Sequence, residues 1–235
     1  MSQRLEPDPV VQPQRNELIA WSGHWSDRHQ RSISQRFFSF YRKAVFSRAV
    51  RFFVERYFPM SGVFVEAGSG TSETSMRINK CAGDKILIAI DIILPVLKRC
   101  HPIMDVRVCG DLFRLPFHEN SVDGIWNVGV MEHFTHDQIN EIMHEFHRVL
   151  RHGGTIILLW PGIDSVPQRL LRLTERVINL RKSNERFVFH PEQISQLRSI
   201  HEGRDVMTRN GFDILHIDSG FRSLMAFKTL VGSKP

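Results

Sequence analysis

The chain has 235 residues, of which 42% are hydrophobic, so it is long enough to bury the core of one full domain. No apolar run is long enough to cross a bilayer and no signal-peptide pattern opens the sequence, which favours a soluble, cytoplasmic protein. Its three cysteines lack C-x-x-C spacing, so we predict neither a disulfide framework nor a metal site. The net charge of +6 indicates an anionic partner, such as nucleic acid, a membrane surface or an acidic substrate, but it is also compatible with solubility alone.

The first 60 residues precede the strand pattern and divide into two parts. Residues 1–20 are rich in Pro, Gln and charge, which predicts a disordered or loosely attached arm. Residues 21–60 predict a helical extension or lid, and it opens with Trp21 and Trp25 on either side of a glycine. These two rings suit a lid over a pocket, and they equally suit an anchor that pins the segment to the core.

Aromatic and basic residues alternate between residues 31 and 58. Small residues between them permit one or two helices, which Pro59 would end. The basic face suits an anionic membrane or a lipid-like substrate. The alternative is that the rings pack on the core ahead of the first strand while the cations face water. The cations are Arg36, Arg42, Lys43, Arg48, Arg51 and Arg56.

A glycine-rich turn follows the first predicted strand, in the sequence GVFVEAGSGTSETS at residues 62–75. The apolar run before Glu66 predicts a buried strand, and Gly68-Ser69-Gly70 can bend sharply and approach a ligand closely. A dinucleotide fingerprint would need a glycine where Glu73 stands, which disfavours NAD and FAD. Because ligands of open parallel sheets bind outside the carboxyl ends of the strands, we expect a cofactor at this turn.

Two further strands end in carboxylates. After a helix predicted over residues 73–80, residues 85–90 form an apolar strand that ends at Asp91, with Ile92 beside it. The distance from the glycine turn is that of one strand-helix-strand unit, and an acid there can accept both ribose hydroxyls of a nucleoside. A helix over residues 92–99 and a strand over residues 105–111 follow, the latter ending at Asp111, with Leu112 placed to contact a base.

A fourth strand is predicted over residues 121–127, and the chain turns away from its tip at Asn127. The turn contains Glu132 and His133, and a capping box of Thr135 with Gln138 then opens a helix. The glycine pair at residues 153–154 predicts the end of this helix, and residues 155–160 predict a fifth strand.

The remaining chain predicts a helical insertion and two closing strands. Residues 163–200 contain a basic amphipathic helix over residues 164–182, and His190-Pro191 opens another helix that runs toward Gly211. This insertion either shapes an acceptor pocket or covers the sheet. Residues 212–218 and 224–231 predict two strands joined through Gly220.

These motifs together resemble the class I S-adenosylmethionine (SAM) methyltransferases. The resemblance rests on the acid-x-Gly-x-Gly pattern with Ser72 in the last glycine place, the acids after the second and third strands, the Glu-His-Phe turn, and VLRHGG before the fifth strand. It covers about residues 62–160 and points to the small-molecule branch of the superfamily. The implied fold is α/β, a doubly wound, mostly parallel, seven-stranded Rossmann-like sheet with an antiparallel terminal hairpin, formed by residues 61–235.

The resemblance also implies roles for individual residues in binding SAM and its product, S-adenosylhomocysteine. We expect Glu66 near the cofactor's ammonium, Asp91 at the ribose hydroxyls, and Asp111 at the adenine amino group. Leu112 would lie against the adenine ring, and the Asn127 backbone would face the methyl-bearing end. The full expected set is Glu66, Gly68, Ser69, Gly70, Asp91, Ile92, Asp111, Leu112 and Asn127.

The predicted activity is methyl transfer to a small-molecule or lipid-like acceptor, most simply at oxygen. In-line alignment supplies much of the acceleration, and a hydroxyl acceptor would also use a base, for which His133 is the first candidate and His190 the second. Residues 127–129 lack the Asn/Asp-Pro-Pro-aromatic motif of amino methyltransferases, which disfavours nucleic acid as the acceptor. The alternatives are carbon methylation of a lipid, with peripheral contact to an anionic membrane, and a non-catalytic binding protein of the same fold.

Overall fold

A seven-stranded sheet forms the centre of the protein. The computed structural model describes residues 42–80, 83–163, 165 and 194–235. The strands are β1 (Gly62–Ala67), β2 (Lys85–Asp91), β3 (Val106–Cys109), β4 (Val122–Val128), β5 (Leu150–Pro161), β6 (Asp213–Asp218) and β7 (Phe227–Ser233). Their order is β3-β2-β1-β4-β5-β7-β6. Strands β1 to β5 pair in parallel, while β7 pairs antiparallel with both β5 and β6, which confirms the predicted fold class.

Four α-helices and several short turns connect the strands within the described residues. The helices are α1 (Ser47–Tyr57), α2 (Leu94–Leu97), α3 (His136–Val149) and α4 (Ile200–Arg209). A π-helical turn at Arg42–Phe46 precedes α1, and 3₁₀ turns occur at Glu73–Ser75, Met131–His133 and Phe221–Ser223. Among the helices of the described residues, none has the length and apolar character needed to cross a membrane.

Both faces of the sheet are covered, because the central strands are apolar on both sides. On one face Val65 and Ile125 pack in the cluster that includes Phe146 of α3 and Met207 of α4. On the other face Phe64 and Trp126 pack in the cluster that includes Phe53 of α1. The sheet is therefore doubly wound, as predicted.

Helix α1 crosses its face of the sheet from one edge to the other. The parallel strands β1 to β5 end at what we call the carboxyl edge, and there the Phe46 ring meets Phe227 with centroids 4.6 Å apart. At the opposite, amino edge Phe58 stacks on Phe64 at 4.9 Å, and the helix ends before Pro59. The rings are packed while Arg48, Arg51 and Arg56 are exposed, which agrees with the packing alternative for this part of the segment. Residues 1–41 lie outside the described residues.

Two predicted helices after β1 and β2 are much shorter than expected. Instead of a helix over residues 73–80, there is one 3₁₀ turn at Glu73–Ser75. Its N-cap, Ser72, has a left-handed φ of 51°, and the Ser75 hydroxyl accepts from the Trp126 indole at 3.2 Å. The helix predicted over residues 92–99 is confined to Leu94–Leu97. Tertiary contacts and loop geometry override the local helical pattern at both places.

The prediction that the glycine pair at residues 153–154 ends α3 is wrong. The pair lies inside β5, which already begins at Leu150. The C-terminal segment provides the reason. Gly153 donates to the carbonyl of Lys234 at 2.8 Å, and Lys234 donates back to Gly154 at 2.9 Å. Gly153 reaches this pairing with φ of +76°, so a glycine suits a bent strand here rather than a helix end.

Of the helix predicted from His190 toward Gly211, the described residues form α4, which begins at Ile200 and is capped by Ser199, whose hydroxyl accepts from the Glu202 amide at 3.1 Å. Leu197 is extended and forms a bridge with Gly162. The two closing strands are present as β6 and β7, but β7 starts at Phe227 because a 3₁₀ turn occupies Phe221–Ser223. The amphipathic helix predicted over residues 164–182, apart from Ser165, and His190 lie outside the described residues.

Candidate functional site

The glycine turn after β1 is shaped by backbone conformations that favour glycine. Gly68 and Gly70 have φ of +66° and +53°, respectively. A Cβ at Gly68 would lie 2.7 Å from Cγ2 of Val130, so a side chain there would collide with the turn after β4. Ser72, in the last glycine place of the motif, also has a left-handed φ of 51°. Serine therefore occupies a glycine conformation, and its hydroxyl accepts from the Cys100 thiol at 3.2 Å.

Glu66 is buried at the end of β1, with only 2% of its surface exposed. The Thr74 hydroxyl donates to its Oε1 at 3.1 Å, so the 3₁₀ turn after the glycines positions this carboxylate. Val65 lies on the face of the sheet that α3 and α4 cover. Because successive residues of a strand point to opposite faces, Glu66 lies on the face that α1 covers.

Asp91 joins the tips of β1 and β2. Its Oδ2 accepts from the Gly70 amide at 2.8 Å, and its Oδ1 accepts from the Ile93 amide at 2.9 Å. Burial raises the pKa of Asp91, while these backbone hydrogen bonds act in the opposite direction. The glycine turn and the second acid, which lie 21 residues apart in the sequence, are thus one structural unit.

The third acid follows β3 at the same edge. Asp111 Oδ1 accepts from the Phe113 amide at 3.0 Å, which closes a tight turn around Leu112. Leu112 is 7% exposed and belongs to the core cluster, whereas Ile92, after β2, is 36% exposed. Glu66, Asp91 and Asp111 therefore lie at the ends of three adjacent parallel strands.

Asn127 lies near the end of β4 and is wholly buried. Neither atom of its side-chain amide has a hydrogen-bond partner within the described part of the chain. An unpaired buried amide costs stability, so such a group is a common feature of ligand sites. The sequence motifs implied a role for the backbone of this residue and gave no signal that its side-chain amide is buried without a partner.

The Met131–His133 turn carries the candidate base. His133 retains 10% of its side-chain surface, and its Nε2 lies 3.7 Å from Oε1 of Glu132. Burial raises the pKa of Glu132 to about 8, and only its own backbone amide opposes this shift. At neutral pH Glu132 is therefore uncharged, a property that sequence spacing did not reveal.

The turn of His133 is bonded to the residues that follow the undescribed segment. The main-chain carbonyl of Glu132 accepts from the amides of Ile194 and Ser195 at 2.7 and 3.0 Å. The Ser195 hydroxyl lies 3.0 Å from the Met131 carbonyl and 2.8 Å from the Phe134 carbonyl. The chain that returns from residues 166–193 is thus fastened to the turn of His133.

The other end of that segment is held at the same place. The Leu197 amide donates to Pro161 at 3.1 Å, and the Ile163 amide donates to Leu197 at 3.0 Å. The Trp160 indole donates to the Ser195 carbonyl at 2.7 Å. The described residues on either side of residues 166–193 therefore meet at the carboxyl edge, beside His133. Within the described residues, no cluster of His, Cys, Asp and Glu is arranged to hold a metal ion.

Comparison with known proteins finds similarity to methyltransferases. A family model described as a methyltransferase domain matches residues 65–158. A malonyl-[acyl-carrier protein] O-methyltransferase of Herminiimonas arsenicoxydans is 30% identical over 93 residues, which is 40% of this chain and 35% of that protein. The chain spans 33–51% of the length of the four curated relatives it matches.

Solved structures share the fold at low sequence identity. One of them is magnesium protoporphyrin IX methyltransferase of Synechocystis PCC 6803, solved with bound S-adenosylhomocysteine. It is 13% identical to this chain with a TM-score of 0.61, and the superposition covers 94% of this chain and 95% of that protein. A possible histamine N-methyltransferase of Thermotoga maritima is 19% identical with a TM-score of 0.59, covering 86% and 94%.

Proposed function

We propose that the chain is a class I S-adenosylmethionine-dependent methyltransferase, and that it transfers the methyl group of SAM to an oxygen of a small-molecule or lipid-like acceptor. The observation that carries this proposal is the union of the glycine turn with Asp91 through the Gly70 amide, at 2.8 Å. It brings a sharply bent backbone and an acid to one point of the carboxyl edge, where ligands of such sheets bind.

The residues present fit a nucleoside that carries an amino acid. Positive φ at Gly68 and Gly70 bends the backbone of the turn sharply, and Val130 packs where a Cβ of residue 68 would lie. Beside the turn stand three carboxylates at the ends of β1, β2 and β3, and these suit an ammonium, two ribose hydroxyls and an adenine amino group in turn. We assign these partners to Glu66, Asp91 and Asp111, with Leu112 against the base.

Side chains at the tip of β4 complete the proposed site on the acceptor side. Bound SAM supplies an electrophilic methyl group on a sulfonium, and a hydroxyl acceptor must lose its proton as the new bond forms. His133 receives that proton on its imidazole. Since Glu132 is uncharged at neutral pH, it places no anion beside the imidazole that would hold it in the protonated form. Little of the His133 side chain remains exposed, which limits competition from water.

Support for oxygen over nitrogen as the methylated atom comes from this base, because a neutral amine attacks with its free electron pair and has less need of one. The name of the relative from Herminiimonas arsenicoxydans also specifies an O-methyltransferase, which agrees with the proposal. A lipid carbon acceptor and a non-catalytic role remain as outcomes of the experiment rather than as parts of the proposal.

The test begins with calorimetry of S-adenosylhomocysteine binding to the full-length protein. Asp91→Asn should weaken binding by roughly 5- to 150-fold, since ribose hydroxyls would lose a charged acceptor worth about 1–3 kcal/mol. Asp205→Asn, at an exposed position of α4, is the matched control and should bind as the wild type does. Unchanged affinity in Asp91→Asn would overturn the assignment of Asp91.

A second measurement identifies the acceptor. The protein is incubated with isotopically labelled SAM and with separate water-soluble and lipid fractions of cells. The proposal expects an ether or ester product that contains one labelled methyl group. A labelled methyl on carbon would favour the lipid alternative, and binding without any product would favour the non-catalytic role.

A further inference from the structure

The connection between β6 and β7 exposes three apolar side chains in five residues. Phe221 is 83% exposed, Leu224 is 59% exposed and Met225 is 49% exposed. We call residues 220–226, which contain them, the apolar turn. Exposure of one large apolar residue is ordinary, but three together in a short connection mark an interaction surface.

The apolar turn is rigidly built rather than loosely extended. Leu224 and Met225 have left-handed φ values of 50° and 62°, a conformation that residues with a Cβ seldom adopt. The Met225 amide donates to the Gly220 carbonyl at 2.7 Å. The Ser223 hydroxyl accepts from the Phe227 amide at 3.0 Å and lies 2.9 Å from the Phe227 carbonyl. These bonds hold the apolar side chains outward in a strained backbone.

The turn lies at the carboxyl edge, next to the basic surface of α1. Phe227, directly after it, pairs with Pro161 at the end of β5. The guanidinium of Arg222 lies 3.3 Å from the centroid of the Phe52 ring on α1. Arg48 and Arg56 lie one helical turn before and after Phe52, and both are exposed.

The acids near this surface are engaged with other groups. Asp218 accepts from the Gly220 amide at 3.3 Å, Glu55 pairs with Arg51 at 2.9 Å, and Glu73 pairs with Lys43 at 3.2 Å. Three exposed cations, Arg48, Arg56 and Arg222, lie beside the apolar turn and outnumber Asp218, the half-buried acid that precedes it. An apolar tip with a cationic border is complementary to an anionic lipid surface.

We propose that the apolar turn, together with Arg48 and Arg56 of α1, docks this protein on an anionic bilayer, with Phe221, Leu224 and Met225 entering the headgroup region. Three side chains are too few for a stable protein interface, which buries about 800 Å² on each partner. They do suffice for peripheral membrane attachment when cations assist. This membrane attachment goes beyond methyl transfer. In the docked protein the carboxyl edge, where an acceptor would enter, faces the lipid.

The experiment is co-sedimentation of the full-length protein with vesicles of phosphatidylcholine alone or of phosphatidylcholine with phosphatidylglycerol. The wild type should sediment with the anionic vesicles, and high salt should release part of it. The double variant Phe221→Ser/Leu224→Gly should lower the partition coefficient at least about tenfold, because two apolar anchors are lost. The glycine also relieves the left-handed backbone, so the variant is expected to stay folded, which thermal unfolding checks.

Matched controls separate this surface from general stickiness. Met60→Ser removes a side chain that is 57% exposed at the amino edge and should leave sedimentation unchanged. Arg48→Glu/Arg56→Glu should weaken binding to anionic vesicles by about tenfold through lost attraction. Equal sedimentation of the wild type and the apolar-turn variant would overturn the proposal. So would a wild-type dimer, seen by analytical ultracentrifugation, that the variant abolishes, since the surface would then contact a second copy of the chain.

Discussion

Asp91 and Glu132 are both carboxyls withdrawn from water at the carboxyl edge, but their surroundings treat the negative charge differently. Asp91 accepts two backbone hydrogen bonds at 2.8 and 2.9 Å, which favour its ionised form. Among the described residues, the polar groups beside the Glu132 side chain are its own backbone amide and the His133 imidazole, so burial dominates and raises its pKa to about 8. The first carboxyl is thus suited to bind a ligand as an acceptor, and the second to remain neutral.

The raised pKa of Glu132 predicts a pH dependence of stability. The ordinary pKa of 4.5 applies to the unfolded chain, so between about 4.5 and about 8 the folded protein binds more protons than the unfolded one. Stability from this group is therefore lost as the pH rises through that window. Glu132→Gln removes the charge, and relative to the wild type it should gain about 4 kcal/mol in the free energy of unfolding between pH 5 and pH 9.

Urea unfolding of both proteins at pH 5, 7 and 9 measures this difference. His133 is the ionisable neighbour in contact with Glu132 among the described residues, so the series is repeated in a His133→Ala background to remove its contribution. A constant difference between the wild type and the Glu132→Gln variant across the three pH values would show that the carboxyl titrates in its ordinary range.

A second prediction at the scale of residues concerns His133 as the proposed base. His133→Ala should lower the turnover number by about 10²- to 10⁴-fold with the true acceptor, because the hydroxyl proton loses its destination. Affinity for S-adenosylhomocysteine should hardly change. The wild-type rate should also fall as the pH drops through the range in which an imidazole gains a proton.

The control for this measurement is His144→Ala, at an exposed position on α3. It should retain the wild-type turnover and pH profile. If His133→Ala also turns over at the wild-type rate, either another group takes the proton or the acceptor needs no base.

At the scale of elements, the two ends of α3 are stabilised in different ways. Its first turn is closed by neighbours in sequence, since the Thr135 side chain accepts from Gln138 and the Gln138 side chain accepts from Thr135. Its last turn is closed from the far end of the chain. The buried Lys234 ammonium donates to the carbonyls of His147 and Leu150 at 2.8 and 2.9 Å and to Asn120 Oδ1 at 2.8 Å.

This cap predicts that Lys234 stabilises the domain although it lies almost at the end of the described chain. Lys234→Met keeps the apolar stem but leaves three acceptors without their donor, so it should cost about 1–3 kcal/mol in the free energy of unfolding. Urea denaturation measures the loss. Lys98→Met, at an exposed position after α2, should stay within about 0.5 kcal/mol of the wild type. Equal stability of the two variants would mean that water replaces the ammonium freely.

At the scale of the whole molecule, the parallel arrangement brings the proposed cofactor-binding residues together. Residues 66, 91, 111 and 127 are spread over 62 positions of sequence, yet each lies at or just beyond the end of a neighbouring strand. Helices cover both faces, so we expect a ligand to reach these residues at the carboxyl edge. The N-terminal turn of α1, the apolar turn and the stub of the segment beyond Pro161 all border that edge.

Cofactor binding should therefore stabilise the entire domain rather than one loop. At a concentration of S-adenosylhomocysteine 100 times the dissociation constant, the free energy of unfolding should rise by about 2.7 kcal/mol. For a chain of this size that corresponds to a rise of roughly 5–10 °C in the melting temperature. Scanning calorimetry with and without the ligand measures the shift. Asp91→Asn should shift much less at the same concentration, and an absent shift in the wild type would contradict the cofactor assignment.

Much of the fold follows from local sequence patterns. Short apolar runs bounded by glycine or acids predicted the strands, and the seven-stranded order then followed from the resemblance of the motifs. The capping box at Thr135 was confirmed, since both of its hydrogen bonds are present. It could be predicted because these bonds join residues only three positions apart. Such features are determined by the sequence itself, since the interacting groups are held near one another by the chain.

Other features depend on contacts between distant segments. The helix predicted after the glycine turn is reduced to one 3₁₀ turn, and β5 extends through a glycine pair because Lys234 pairs with it. The burial that shifts the pKa of Glu132 comes from neighbours that local spacing does not identify, and the left-handed turn that exposes Phe221 follows no repeating pattern. The sequence by itself determined the strands and the acids that end them. Only the tertiary structure decided which groups lose water and which remain exposed, because solvation depends on everything that packs around an atom.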